Sequence, residues 1–337
     1  MPRLVTALLL LLMMTTPTYA QGDASDALVF TDTVWLDNGT IKLGVSPSVG
    51  RITWFGFSDG ENVLWVNPET MNIPPGTNPD TWINYGGDKV WNGPQALWPY
   101  FLPHGNDWPP AAEHDGQAWT VEAEGPLQVT LSSGTSDTLG IQIHREIVLH
   151  DNAVRITNRL EKVGRSYAPV QPWTITQVQA PASVALSNES NMGGAPCVFY
   201  KGSETAFAGE LRSESGFLVW TDRDAPRGKK LGTMGPWIAA LMPDQRTVFT
   251  QFHSVRDSGA YPERASLQLY VGDGYSELEL LGPMESLAVG ESATLASTWT
   301  IKRSTERIDS PEGWDEYLQR LAKEVKSEVS PASDPAP

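Results

Sequence analysis

The chain has one cysteine, Cys197, among 337 residues. No internal disulfide can form, and the fold must rest on its core alone. A lone thiol with no histidine near it in sequence reads as a small packed apolar residue rather than a nucleophile. Histidine is also scarce: His104, His114, His144, His150 and His253 are all there is. Basic residues are outnumbered, 24 Lys and Arg against 40 Asp and Glu, and the formal net charge is −16. Such a surface repels nucleic acid and anionic lipid, and it suits neutral or cationic ligands better than polyanions. Nucleophilic triads, phosphate-cradling glycine loops and dinucleotide fingerprints are absent, so no cofactor is expected. Past the first twenty residues no stretch is long and apolar enough to span a bilayer.

Those first twenty residues read as an address. Arg3 gives a positive start, Leu4 to Met14 is a short apolar run, and Thr18-Tyr19-Ala20 has the small-x-small form of a cleavage site. The run is too short for a membrane span, so a signal peptide over 1–20, cleaved after Ala20, is expected. The protein is then exported, periplasmic or secreted. Residues 21–27 read as a linker.

Strand signals fill most of the remainder. Residues 28–36 lead into Asp37-Asn38-Gly39, where Asn-Gly accepts the backbone of a tight hairpin, and 40–46 return. Gly50 opens RITWFGF, and Ser58-Asp59-Gly60 turns into NVLWVNP. Further strands are expected at 118–123, 126–132, 140–149, 153–160, 172–179, 183–187, 216–221, 237–242, 247–252, 265–271, 276–281 and 293–302. Within 141–149, Ile141, Ile143, Ile147 and Leu149 share a face with Arg145, while His144, Glu146 and His150 share the other. One helix is expected at 310–326: Ser310 caps it, Pro311 suits its first turn, and Trp314, Leu318, Leu321 and Val325 form an apolar stripe. The pattern predicts an all-β sandwich of antiparallel sheets over 28–309, the helix at 310–326, and a disordered tail at 327–337.

Five of the thirteen tryptophans fall between Trp82 and Trp119, in a Gly- and Pro-rich stretch that shows neither helical nor strand periodicity. An ordered loop is expected there, packing some indoles against the domain and presenting others in a cleft. Trp82, Trp91, Trp98 and Trp108 are candidates to stack on a ligand, and Asn84, Asp88, Lys89 and Gln95 to hydrogen-bond it. Flat apolar rings beside amides and carboxylates are what a sugar requires, and they also describe ligand pockets in general. For any one tryptophan, burial as a core staple is the plainer reading. His104 and His114 with Asp107, Glu113 and Asp115 supply ligand types for zinc or calcium, but their spacing matches no tight motif, and no metal is expected.

Three segments resemble the galactose mutarotase-like superfamily. WLDNGTIKLGVSPSVGRITWFGFSDGENVLWVNP is similar to its opening hairpins. Gly86-Gly87-Asp88-Lys89, with Trp91 and Gln95 after it, resembles a group of exported bacterial members without an assigned function. YSELELLGPMESLAVGESATLASTWTI resembles its closing strands. The resemblance frames residues 28–302. It implies a β-supersandwich with a sugar site on one sheet face. The sugar epimerases of the superfamily use a Glu as base and a His as acid across the sugar ring.

In YSELELLGP, Tyr275, Glu277, Glu279 and Leu281 share one strand face, and the resemblance points to Glu279 as the base. Two carboxylates on one face can raise each other's pKa; solvent-facing glutamates are the plainer reading. The region where the epimerases carry the histidine has none here; Trp173, Thr174 and Thr176 occupy it, and Trp173 and Thr176 join the candidate binding residues. His104 or His114 would then have to serve as acid. Three readings result: a carbohydrate-binding protein, a sugar epimerase (or a lyase or hydrolase) with Glu279 as base, and a non-catalytic interaction module of the cell envelope.

Overall fold

The computed structural model describes residues 29–76, 82–189, 198–200, 202–203, 207, 211–214, 216–221, 227–256 and 258–329. The expected leader, the linker, Cys197 and residues 330–337 of the expected tail lie outside them. Among the described residues nineteen strands form two sheets. The first runs, in spatial order, Val34–Asp37, Ile41–Ser46, Arg51–Phe57, Asp88–Asn92, Pro172–Gln179, Tyr275–Leu281, Leu267–Val271, Lys229–Thr233 and Val198–Phe199. The second runs Leu211–Glu214, Phe217–Thr221, Ser183–Ser187, Trp237–Leu241, Thr247–His253, Ser292–Arg303, Ala153–Lys162, Ile141–His150, Gln128–Ser132 and Thr120–Gly125. Every strand pairing is antiparallel. The two sheets share one apolar core, in which Leu43, Phe55, Val90, Ile143, Ile156, Phe249, Leu269, Leu278 and Trp299 are buried. This is a β-supersandwich with one long helix at its C-terminal end.

That helix, Pro311–Val329, extends past its expected end. Ser310 caps it, its Oγ accepting from the Gly313 N–H at 3.1 Å. Its stripe of Trp314, Leu318, Leu321 and Val325 packs on Phe217, Trp237, Leu241 and Val248. The helix therefore covers the outer face of the second sheet and leaves the outer face of the first to other elements.

The two sheets are also joined by buried polar groups. Arg145, fully buried, reaches across to Asp88: its Nη2 pairs with Asp88 Oδ2 and its Nε donates to Asn158 Oδ1 at 2.9 Å. Thr176 donates to Asp88 Oδ1 at 2.7 Å, and Gln251 of the second sheet donates to Thr176 at 2.6 Å. Asp88 and Thr176 thus point between the sheets. By strand alternation Lys89, Trp91, Trp173, Gln177, Glu277 and Glu279 point outward from the first sheet.

Two sequence expectations are corrected here. The stretch from 82 to 119 is not loop throughout: Asp88–Asn92 is a five-residue strand, buried along its length, between Arg51–Phe57 and Pro172–Gln179. It shows no period of two because both of its faces carry polar groups. Conversely, NVLWVNP makes no strand; Leu64 and Val66 form isolated bridges to Val178 and Gly86. The two glycines before the new strand are required by shape. Gly86 and Gly87 have φ of +82° and +70°, and a Cβ would meet Trp65 O at 2.3 Å and Ile52 O at 2.4 Å.

Candidate functional site

The outward face of the first sheet is roofed by the tryptophan-rich segment. Trp91 lies edge-on to Trp82, Trp98, Trp108 and Trp173, with ring centroids 6.3, 5.7, 5.6 and 5.3 Å away. Asp115 anchors the roof. Its Oδ2 accepts from the indoles of Trp82 and Trp91, each at 2.9 Å, and its Oδ1 lies 2.5 Å from the buried Arg51. Trp98 donates to the Asn92 carbonyl at 2.8 Å. Trp91 and Trp98 are buried and Trp82 is half-buried; Trp108, the outermost, is 38% exposed. Most of these rings face one another rather than an open cleft.

The open cleft lies beside the roof, where the first sheet continues to Lys229–Thr233. It has a volume of about 180 Å³ and is lined by Gln95, Gln171, Trp173, Tyr200, Lys230 and Glu263, with Gln268 and Tyr270 on the adjoining strand. Register explains the gathering. Gln268 is the cross-strand partner of Glu279, and Lys230 that of Tyr270, so all four side chains stand on the same face.

Glu279 lies under this cleft, with no exposed surface. Its Oε2 accepts from Trp173 Nε1 at 2.7 Å and from Lys230 Nζ at 2.9 Å, and Lys230 Nζ is 2.8 Å from its Oε1. Burial pushes its carboxyl up to about 7; Lys230 pulls the other way, and Glu277 adds to the rise. Lys230 is the lid on this carboxylate. Its ammonium sits 4.9 Å from the Trp173 ring centroid and 5.6 Å from that of Tyr200, and it donates to Gln268 Oε1 at 3.0 Å. Gln268 turns its amide to Glu263 Oε2, 2.5 Å away, and also to the Tyr200 hydroxyl. Tyr200 donates to the same Glu263 oxygen at 3.1 Å. Burial and Glu263 hold the Tyr200 phenol protonated, well above its ordinary range.

A second polar group lies toward the other end of the same face. Glu277 accepts from Gln177 Nε2 at 2.9 Å and faces Lys89 Nζ at 3.8 Å. Lys89 is 2% exposed, and burial drives its amine down to about 8. Asn84 and Gln177 bond the Tyr275 hydroxyl, and Tyr275 stacks on Trp65 at 4.4 Å.

The sequence candidates therefore divide. Gln95, Trp173 and Glu279 meet at the cleft. Asn84, Lys89 and Glu277 form the second polar group. Trp82, Trp91, Trp98 and Trp108 make the roof. Asp88 and Thr176 lie on the opposite face of the sheet, bound to Arg145 and Gln251. His114 is buried, its Nε2 3.1 Å from the Ile141 carbonyl, and burial lowers its imidazole to about 4. His104 is exposed and staples its own loop: Nδ1 accepts from the Asn106 N–H at 3.1 Å, so Nε2 carries the proton toward Pro109 O at 3.0 Å. Neither histidine is among the residues lining the cleft. Among the described residues no three His, Cys, Asp or Glu side chains gather as a metal site. The residues that sequence reasoning missed are Lys230, Gln268, Tyr270, Tyr200, Glu263, Gln171 and Gln177. The alternation of Leu267-Gln268-Leu269-Tyr270-Val271 does mark Gln268 and Tyr270 as one face; no local signal marks Glu263 or Tyr200.

Comparison with solved structures places the fold. A galactose mutarotase-like protein from Lactobacillus casei superposes with a TM-score of 0.55 at 11% identity, covering 80% of this chain and 99% of that one. A putative aldose 1-epimerase from Escherichia coli gives 0.52 at 15% identity, with 80% and 99% covered. A galactose mutarotase related enzyme from Lactobacillus acidophilus gives 0.52 at 9%, with 82% and 100% covered. At these identities the likeness is one of fold. No functionally curated protein matches the sequence. Residues 31–302 match the family described as domain of unknown function DUF4380, and the chain is a member of that family with a galactose mutarotase-like fold.

Proposed function

We propose that this is an exported carbohydrate-binding protein whose ligand occupies the cleft over Lys230 and Glu279. The observation that carries this reading is the lining itself. One indole, Trp173, stands beside three amides, two phenols, an ammonium and a carboxylate in a space of about 180 Å³. That is smaller than the ~300–1,000 Å³ pockets that take drug-sized ligands, and it suits one small polyhydroxylated unit. Sugars offer an apolar C–H face and a rim of hydroxyls, which such a wall complements. The fold supports the reading by analogy only.

Calorimetric titration of the protein from Gln21 onward with neutral monosaccharides, oligosaccharides and uronic acids tests it. Saturable binding of one class, lost in Lys230→Met and kept in a surface variant such as Lys302→Met, is the expected result. A folded protein silent to the whole panel would refute it. Export rests on the N-terminal apolar run, and N-terminal sequencing of the protein from the periplasm or medium should begin at Gln21.

A second reading is favoured by one observation, the burial of Glu279 beneath Lys230 under the cleft, which pushes its carboxyl up to about 7. Groups poised near neutral pH in a cleft are what proton transfer to and from a sugar needs. In an epimerase of this kind Glu279 takes a hydroxyl proton once Lys230 swings off it, and Lys230, in its new position, serves as the proton donor in place of a histidine. Anomer exchange monitored by polarimetry, with Glu279→Gln as the control, decides between turnover and binding alone.

A further inference from the structure

The charges of the cleft do not cancel. Among the described residues Lys230 is the one cation that lines it, and its ammonium is already engaged: both Glu279 oxygens and Gln268 Oε1 lie within 3.0 Å. Glu279 is sealed beneath it and offers no surface to a ligand. The carboxylate that does face the cleft is Glu263, half-buried on the loop before Leu267–Val271. Its bonding partners are neutral donors, the Tyr200 hydroxyl and the Gln268 amide, and both reach the same oxygen, Oε2. Among the described residues no Lys, Arg or His forms an ion pair with Glu263. Among the described residues the cleft thus presents a carboxylate without an ion-pair partner, held in place by two oriented donors and walled by Trp173, Tyr200 and Tyr270.

A carboxylate fixed in this way and partly desolvated is costly without a cation and rewards one. Neutral donors orient it without neutralising it. Hydroxyl ligands could replace its lost water, but an ammonium replaces the water and cancels the charge. The net charge of −16 adds a field in the same direction.

We propose that the ligand carries a free amine, and that Glu263 reads it: the site takes an amino sugar, a hexosamine unit with a protonated nitrogen, in preference to its neutral or N-acetylated counterpart. This rests on the carbohydrate reading of the same cleft. The amine meets Glu263 on the Tyr200 side. The ring lies against Trp173, and its hydroxyls meet Gln95, Gln171 and Gln268. Lys230, whose charge the ionised fraction of Glu279 offsets and whose ammonium is held by Glu279 and Gln268, repels the amine less than a free lysine would.

The test is calorimetric titration at neutral pH with three matched probes: glucosamine, glucose and N-acetylglucosamine, repeated for the galacto and manno series. The expected result is that, in one series, the amine binds about tenfold or more tighter than both counterparts, the size of one charge-assisted hydrogen bond. Glu263→Gln, which keeps the shape and the contact with Tyr200, should bring the three affinities together without loss of thermal stability. Comparable affinity for amine, neutral and N-acetyl forms in the wild type overturns the amine assignment and leaves the carbohydrate reading standing. A preference that survives in folded Glu263→Gln also overturns it. Silence of all three probe classes in every series removes both.

Discussion

Lys230 closes over Glu279. The ammonium lies within 3 Å of both carboxylate oxygens, and the carboxylate has no surface of its own. The group that the resemblance singles out as a base is therefore reached only past a lysine. Lys230→Met removes the partner and leaves a buried carboxylate alone. Breaking a buried pair from one side costs about 3–5 kcal/mol. The loss should depend on pH, because a lone Glu279 escapes it by taking a proton. Urea unfolding of the variant should show the larger deficit at pH 8 and a smaller one at pH 5.

Glu279 itself contributes a definite pH slope. Its folded carboxyl, near 7, lies above the unfolded value, so the folded state binds the extra proton between the two. Stability from this group is present at acid pH and is lost as pH rises from about 4.5 to 7. Glu279→Gln should flatten this part of the stability profile. An unchanged slope between these pH values would refute the burial argument.

Lys89 works in the opposite direction at the alkaline end. Its folded amine is near 8 against an ordinary 10.5, so the unfolded chain binds more protons between those values and stability rises with pH there. In Lys89→Met that rise should vanish, and stability at pH 7 should be equal or higher because a buried charge has gone.

The pairing of Asp88 with Arg145 joins the two sheets and belongs to the fold rather than to the cleft. Asp88→Asn leaves Arg145 buried without its counter-charge, and about 3–5 kcal/mol should be lost in chemical unfolding. The folded fraction should bind ligand as the wild type does. A variant of full stability with abolished binding would reverse the assignment of this residue.

Much of the scaffold was legible in the sequence because half-buried strands advertise themselves by alternation. Ile141, Ile143, Arg145, Ile147 and Leu149 were readable as one face, and they line the interior. Ser310 was readable as a cap. The Asp88–Asn92 strand was not, since a short element buried on both sides, with Asp and Lys in it, has the composition of a loop. The candidate site was legible only in part. Glu279 and Trp173 stand on strands with clear register, but Lys230, Gln268 and Glu263 join them through pairings between segments far apart in the chain. The tryptophans can be read two ways for a physical reason: an indole cluster satisfies its rings edge to face and the Trp82 and Trp91 N–H groups on Asp115, so density of tryptophan in sequence marks a packed roof as readily as an exposed platform.

The central claim is that ligand enters the cleft beside Trp173 and not the outer surface at Trp108. Tryptophan fluorescence titration of two variants, Trp173→Phe and Trp108→Phe, with a sugar that binds the wild type, tests it most directly. The account predicts that the ligand-induced change is lost or sharply reduced in Trp173→Phe and persists in Trp108→Phe. A change that persists in Trp173→Phe and disappears in Trp108→Phe would contradict it and move the ligand to the exposed edge of the roof.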